Sequence, residues 1–471
     1  LYTLIMEANP MSFNTFHGML RESAAKYGDA TAILYDTHAI TYDKLFSDCC
    51  KKAVHLKKFP GRRIALIGPD SYRFLVNFFG AVMAGKDVCM LDSFLAVTER
   101  HILLEKAHPD YILSSTNQYI LADAHGEIMP EALKGEDSID EASLGDNPCE
   151  GNVLLFTSGT SRLAKIAVLS SKNLAFSLQQ LSEAVPCTTA DRVLSLLPLS
   201  HVFGLVYSIL WPLGCGACVC IGRGIRHMDF DAIYYNPTIL PVYPALLETL
   251  MRYRGLNDRL HTILIGESHC PDGIINALEN EGYQVYSIYG MTAASGCIAV
   301  SSKASGHELV PLKGVSISIA DDGEILVSGD GLMSHYDGEP GATAQVLDGT
   351  TLHSGDLGHI DDEGHLIITG NKKNILALPN GEKMNCLEVE SFFNRNDSID
   401  ETALTLCDGL ATIWIHASSK SFNDEDATRI VNAFNKTKCS ARHINRFYIT
   451  NRKLPRDAAG NLRRSELAAA H

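Results

Sequence analysis

The chain has 471 residues, too many for one hydrophobic core, and is 46% apolar and 20% charged with a mean hydropathy near zero, so a globular protein of two or more domains is expected. Its net charge of −15 argues against nucleic acid or an anionic membrane as main partner, though not against a local basic pocket for phosphate. Thirteen scattered cysteines without a secreted-type framework, no leader pattern and no apolar run of spanning length lead to the expectation of a soluble, cytoplasmic protein with reduced thiols.

In chain order, FNTFHGMLRESAAKYG (13–28) has helical apolar spacing and stops at a glycine. TAILYD and HAITYDKLF read as a strand, a turn and a strand entering a helix. RRIALIGPD is a buried strand closed by Gly-Pro, YRFLVNFFGAVMAG an apolar helix, and DVCMLD and DYILSS two further strands. Strand, helix, strand at this spacing predicts an α/β domain with largely parallel sheets. DRVLSLLPLS, HVFGLVYSILWPL, TILPVYPALLETLM, LHTILIGES and YQVYSIYGM continue the pattern to about residue 291. Within it, Cys215, Cys218 and Cys220 look briefly like a metal knuckle. No second pair stands at zinc spacing, so a buried strand using cysteine as a small hydrophobe is expected.

From about residue 311 the texture changes to short alternating strands with Asp-Gly, Glu-Gly and Asn-Gly turns, the pattern of antiparallel hairpins and a small β-barrel-like region. The last hundred residues alternate helix (CLEVESFFN), strands (TALTLC, ATIWIHAS) and helix (DEDATRIVNAFNK). The expected organisation is a large domain over 1–370 and a small, mobile α+β domain over 371–471.

Between two apolar runs stands FTSGTSRLAK (156–165). Backbone N–H groups in a Gly/Ser/Thr loop form an anion-binding nest, to which hydroxyls add donors and a lysine adds charge. The nearest generic motif, G-x4-G-K-[ST], fails here. Ala164 stands at the second glycine, Ile166 at the hydroxyl, and KIAVLS reads as a strand where that motif opens a helix. A polar turn that holds nothing explains the loop alone equally well.

Further segments follow in order: LPLSHVFGL (197–205), ILIGES (263–268), YGMTAAS (289–295), HSGDLGHIDDEGHLIITGNKKN (353–374), NGEKMNCLEVE (380–390) and LPRDAAGNLRRSEL (454–467). Together with the loop they resemble the motifs of the AMP-forming adenylating superfamily, which includes acyl-CoA synthetases, peptide-synthetase adenylation domains and luciferases. The resemblance spans nearly the whole chain. It implies activation of a carboxylic acid by ATP and Mg²⁺ to an acyl-adenylate, then transfer to a thiol of CoA or of an acyl carrier protein's phosphopantetheine.

The roles it implies are specific. Thr157, Ser158, Gly159, Thr160, Ser161 and Lys165 cradle phosphates. Gly266, Glu267, Tyr289 and Gly290 line the nucleotide, with Tyr289 on adenine, and Thr292 bonds the α-phosphate. Asp356 accepts from ribose hydroxyls, His201 guards the acid's entrance, and Lys373 is a hinge about which Gly381 and Glu382 swing in. No residue is assigned to a metal, and a homodimer is left open.

The departures fall on charge. Arg162 and Ala164 replace a proline and glycine of the loop, Ala293 replaces the carboxylate that usually holds Mg²⁺, and Asn371 and Asn461 replace an arginine and a catalytic lysine. Removing one preorganised donor of that kind costs about 10²–10³ in rate. Arg463, Arg464 or Lys453 could substitute. The expectation is retained phosphate binding with slow adenylation; the alternative is a catalytically reduced relative that binds nucleotide or acyl-CoA as a regulator. Small apolar residues at Val202, Gly204, Gly266, Ser268, Gly290 and Ala294 suggest a fatty or aromatic acid, while Asp229 and Asp231 keep an amino acid open.

Overall fold

A computed structural model of the chain describes residues 13–92, 95–115, 120–123, 144–146, 148–157, 164–252, 256–268, 270–301, 308–380, 382–417, 419, 422–456 and 462–469. It divides into two compact units. The first takes in residues up to Ser318 with Leu326–His353 and Ile360–Ile367; the second takes in Ile319–Ile325, Ser354–His359 and Ile368–His471. The two short excursions are strand segments that a single cut after residue 370 assigned to the larger domain.

In the first unit the apolar runs pair largely as parallel strands, and strands such as Asp87–Leu91 are buried along their whole length, which leaves no polar side to alternate with. A seven-stranded sheet runs in the spatial order His335–Tyr336, Ile166–Leu169, Val153–Phe156, Asp87–Leu91, Arg63–Ile67, Tyr111–Ser114, Ile120–Asp123. Its centre is parallel, and Val153–Phe156 turns back antiparallel into Ile166–Leu169, with Phe156 opposite Ile166. The helix Tyr72–Met83 beside it is buried from Phe74 to Met83, which explains its almost wholly apolar sequence, and Ser71 caps it by accepting the Phe74 N–H at 3.1 Å.

In the second sheet Thr31–Tyr35, Cys218–Ile221, Arg192–Ser195, Ile239–Val242, Thr262–Ile265 and Gln284–Tyr289 lie side by side in that order, all parallel. Cys218 and Cys220 are buried in their strand, and all thirteen cysteines are free thiols. Register aligns the strand ends: Val242 faces Ile265, and Ile265 faces Ser287. Open sheets of this kind bind ligands beyond the carboxyl ends of their strands. The hairpin strands expected after residue 311 are present. They extend the sheet edge in the open order Leu309–Pro311, Leu366–Asn371, Thr351–Ile360, Glu324–Ser328, Ser316–Ile319, so among the described residues no barrel closes.

The helix begun by HVFGL carries a feature the apolar spacing does not show. Val206–Leu210 is a wide π-helical turn between Val202–Leu205 and Trp211–Cys215, with the Trp211 N–H donating to the Val206 carbonyl. Pro212 supplies the physical reason: it has no N–H, and its ring would crowd the Ser208 carbonyl of a regular helix.

In the second unit, Glu401–Cys407 and Leu410–His416 form a hairpin whose turn residues Asp408 (φ 51°) and Gly409 (φ 76°) both take positive φ. Arg446–Thr450 adds a parallel strand. Cys386–Asn394 and Asp424–Asn435 cover one face through Phe392, Phe393 and Phe434, while Leu467 and Leu454 pack with Trp414 in a separate cluster. No helix among the described residues is long and apolar enough to cross a membrane.

The tightest backbone approach near the strand ends gives a direct test. A Cβ at Gly290 would lie 2.0 Å from the Gly296 carbonyl oxygen, whereas one at Gly273, inside the helix Asp272–Asn280, meets nothing within 4 Å. Gly290→Ala is expected to destabilise the protein by ~2 kcal/mol or more in urea denaturation, and Gly273→Ala to stabilise it by ~0.5 kcal/mol. A wild-type midpoint for Gly290→Ala would show that the approach is not there.

Candidate active site

The loop FTSGTSRLAK is pinched at its neck. The Thr157 N–H donates to the Lys165 carbonyl at 2.8 Å, and the Lys165 N–H donates back to Thr157 Oγ1 at 3.1 Å. The segment after it is the strand Ile166–Leu169, which removes the helix that a Walker-type loop would need. Ser158, Gly159, Thr160 and Ser161 lie outside the described residues. The Lys165 ammonium stands 4.9 Å from the ring centroid of Tyr336, whose strand pairs at Ala167 with the strand that follows the lysine. Tyr336 is a neighbour of this lysine that sequence reading missed: nothing local marks it, because strand pairing brings it there from 171 positions away.

Gly266, Glu267, Tyr289, Gly290 and Thr292 stand at or just beyond the carboxyl ends of the neighbouring parallel strands Thr262–Ile265 and Gln284–Tyr289. Gly266 follows Thr262–Ile265, and its missing Cβ leaves the space that the Phe203 ring fills, 2.3 Å from where that atom would be. Gly204 is crowded in the same way by the Pro198 carbonyl, at 2.3 Å. At these glycines, as at Gly290, chain or ring passes too close for a side chain. Tyr289 ends its strand and is 8% exposed; Thr292 opens a short turn, Thr292–Ala294, and is likewise buried. Ala293, 5% exposed, has no side-chain oxygen to offer a cation. His201 caps the helix Val202–Leu205 from its N-terminus and lies 3.2 Å from Glu267, joining two motifs that are far apart in the chain.

Asp231 is excluded as an anchor for an amino acid's ammonium. It is fully buried and spent on Arg223, accepting from the backbone N–H at 2.7 Å and from Nε and Nη2 at 2.9 and 2.7 Å. A different carboxyl reaches the gate motif. Asp70 accepts the Leu199 N–H at 3.3 Å. Burial pushes its pKa up to about 7, against the pull of that hydrogen bond and helped by Asp92.

In the second unit, Asp356 is not an open carboxylate. Its Oδ1 accepts from Asn371 Nδ2 at 2.5 Å, while Asn371 Oδ1 accepts the Lys373 N–H at 2.8 Å and so caps the turn Lys372–Asn374. Beside this, Glu324 accepts the Gly355 N–H at 2.9 Å and pairs with Lys372 at 2.7 Å. The residue at the family's arginine position therefore ties the candidate ribose carboxylate to the candidate hinge. Glu382 is held by Arg442 at 2.7 Å, and Gly381 and Asn461 lie outside the described residues.

Two of the three cations considered as substitutes for the lost lysine are engaged. Arg464 binds the buried Glu390 through Nη2 at 2.9 and 2.8 Å and Asn374 at 3.1 Å; Arg463 pairs with Glu466 at 3.0 Å. Lys453 is exposed.

A family model described as AMP-binding enzyme matches residues 20–337, more than half of the chain, and the protein belongs to that family. Oxalate–CoA ligase of Arabidopsis thaliana is 23% identical over 97% of this chain and 99% of its own length. Feruloyl-CoA synthase of an Amycolatopsis species is 26% identical over 77% and 79%. The solved O-succinylbenzoate coenzyme A synthetase of Bacillus subtilis in complex with AMP superposes with a TM-score of 0.77 at 20% identity, covering 95% of this chain and 97% of that one. The mixed α/β fold of this chain is thus that of solved AMP-forming ligases.

Two measurements test the site's electrostatics. The Asp70 pKa in the folded state lies above its unfolded value, so the native state binds the extra proton between pH 4 and 7 and stability falls as pH rises through that window. Asp70→Asn is accordingly expected to raise Tm relative to wild type at pH 8 and much less at pH 5; equal shifts at both would refute the buried charge. Asn371→Ala removes one cap and one carboxylate partner and is expected to cost about 1 kcal/mol in chemical denaturation. Asn371→Asp keeps the cap but sets two carboxylates together, and should cost more at pH 7 than at pH 4.

Proposed function

We propose that the protein is an ATP-dependent, AMP-forming ligase that joins a carboxylic acid to the thiol of CoA. The observation that carries this reading is the placement of Glu267, Gly290 and Thr292 just beyond the carboxyl ends of the adjacent parallel strands Thr262–Ile265 and Gln284–Tyr289, with His201 3.2 Å from Glu267, in a chain whose family match begins at residue 20 and runs through all of them. In the first step a carboxylate oxygen attacks the α-phosphorus of ATP and pyrophosphate leaves. In the second, the thiol sulfur attacks the acyl carbon, the C–O bond to AMP breaks and the thiol proton is released. The first step gathers negative charge on phosphate, so catalysis is mainly positioning and charge stabilisation.

The assignments of residues are proposals with separate supports. Residues 157–161 and Lys165 take the triphosphate, supported by the pinched hairpin neck that holds the loop's two ends together. Thr292 takes the α-phosphate and Tyr289 the adenine. Asp356 takes the ribose and Lys373 serves as hinge, supported by the Asn371 bridge between them. The carboxylic acid is fatty or aromatic, a reading supported by Asp231 being spent on Arg223 and Asp229 being exposed. CoA is favoured as acceptor by the relatives; a carrier protein's phosphopantetheine presents the same thiol.

A second reading, a catalytically reduced nucleotide or acyl-CoA binder, is favoured by one observation: Asn371 already uses both ends of its side chain inside the protein. Pyrophosphate release from Mg-ATP across a panel of acids separates the two. The ligase reading expects acid-dependent release, slowed about 10²–10³-fold by the missing lysine and restored in part by Asn461→Lys. No release with any acid, together with a nucleotide-induced rise in Tm, would select the binder.

A further inference from the structure

His201 and Glu267 belong to separate motifs, and the resemblance gives Glu267 to the nucleotide. The geometry argues otherwise. Glu267 Oε1 lies 3.2 Å from His201 Nδ1, with both side chains about three-quarters buried at 26% and 30% exposure. Glu267 also holds a left-handed backbone, φ 71°, a conformation that is strained for a non-glycine residue and is kept only where the surroundings require it. The residue before it, Gly266, is pressed against Phe203, the second residue after His201. This contact locks the strand end to the helix start, so the glutamate's backbone has one place to go.

The histidine's Nδ1 has two competing partners. It stands 3.4 Å from the Phe203 N–H, for which it must accept, and 3.2 Å from the carboxylate, to which it must donate. One nitrogen does one or the other. The carboxylate contact is the shorter and is charge-assisted, the stronger class of hydrogen bond.

We propose that Glu267 is a positioning residue for His201: its carboxylate accepts a hydrogen bond from Nδ1–H and holds the imidazole at the acid's entrance, in place of the helix-capping state. The proposal rests on the ligase reading for what His201 faces. It assigns Glu267 to the acid side of the reaction rather than to the nucleotide. It also places a carboxylate at the end of the strand Thr262–Ile265, beside the strand leading to Ala293, where the family's carboxylate is gone.

The test is a double-mutant cycle with acid-dependent pyrophosphate release as readout and nucleotide-induced thermal shift as control. Glu267→Ala is expected to lower kcat/KM for the acid by about tenfold, as loss of an orienting group does, and to leave the nucleotide shift unchanged. In a His201→Ala background the same substitution should have no further effect. Glu267→Gln, which keeps an accepting oxygen, should recover part of the loss. Glu267→Gly separates positioning from folding: it relieves the left-handed strain and should raise Tm while lowering kcat/KM.

Additive losses in the cycle, or a nucleotide shift abolished by Glu267→Ala, would overturn the proposal and leave the ligase reading standing. A wild-type chain that releases no pyrophosphate with any acid would remove both.

Discussion

The close passage of backbone past backbone at Gly290 and Gly296, and of backbone past ring at Gly266 and Phe203, sets the positions of the other groups around it. Packed interiors have no slack to absorb an added methyl group at such distances, so the strand ends and the helix start move as one body or not at all. Tyr207 strengthens the join: its ring lies 4.6 Å from Phe203, and its hydroxyl donates to the Gly296 carbonyl at 3.0 Å. Thr292, His201 and Glu267 are all within a few residues of these contacts, and their directions are inherited from them.

Charge is distributed in a way that local sequence cannot convey. A count of acids and bases near the motifs suggests groups available to a substrate. Several are committed elsewhere: Asp231 to Arg223, Glu390 to Arg464, Glu324 to Lys372, Glu382 to Arg442. Buried or half-buried ions must find partners or leave their charged state, so the fold consumes them first. Asp70 shows the other outcome: with a backbone N–H as its named partner and burial dominant, its carboxyl is pushed towards neutrality.

Much of the architecture was legible because the first unit's elements are strongly patterned. The uniformly apolar runs RIALI and DVCML are readable as central parallel strands, and the polar-ended FHGMLRESAAKY as a helix. The Asp-Gly hairpin after residue 319 was legible for the same local reason. Less legible was the widened turn at Val206–Leu210, since periodicity over one turn does not separate π from α geometry. What lies against the glycines of the strand ends was not legible, because absence of a side chain looks the same whether protein or ligand fills the space. Tyr336 beside Lys165 left no sequence signal, since strand pairing alone joins them.

What the sequence by itself determined was the order of strands and helices, the family, and which charged positions had been replaced, because these depend on residue type and spacing along the chain. Only the tertiary structure decided that Asn371 bridges Asp356 to the hinge turn, that Glu267 faces His201, and that Arg464 is already occupied. Each of those facts is a competition between partners for one hydrogen bond or one charge, and the winner is set by distances that exist only after the chain has folded.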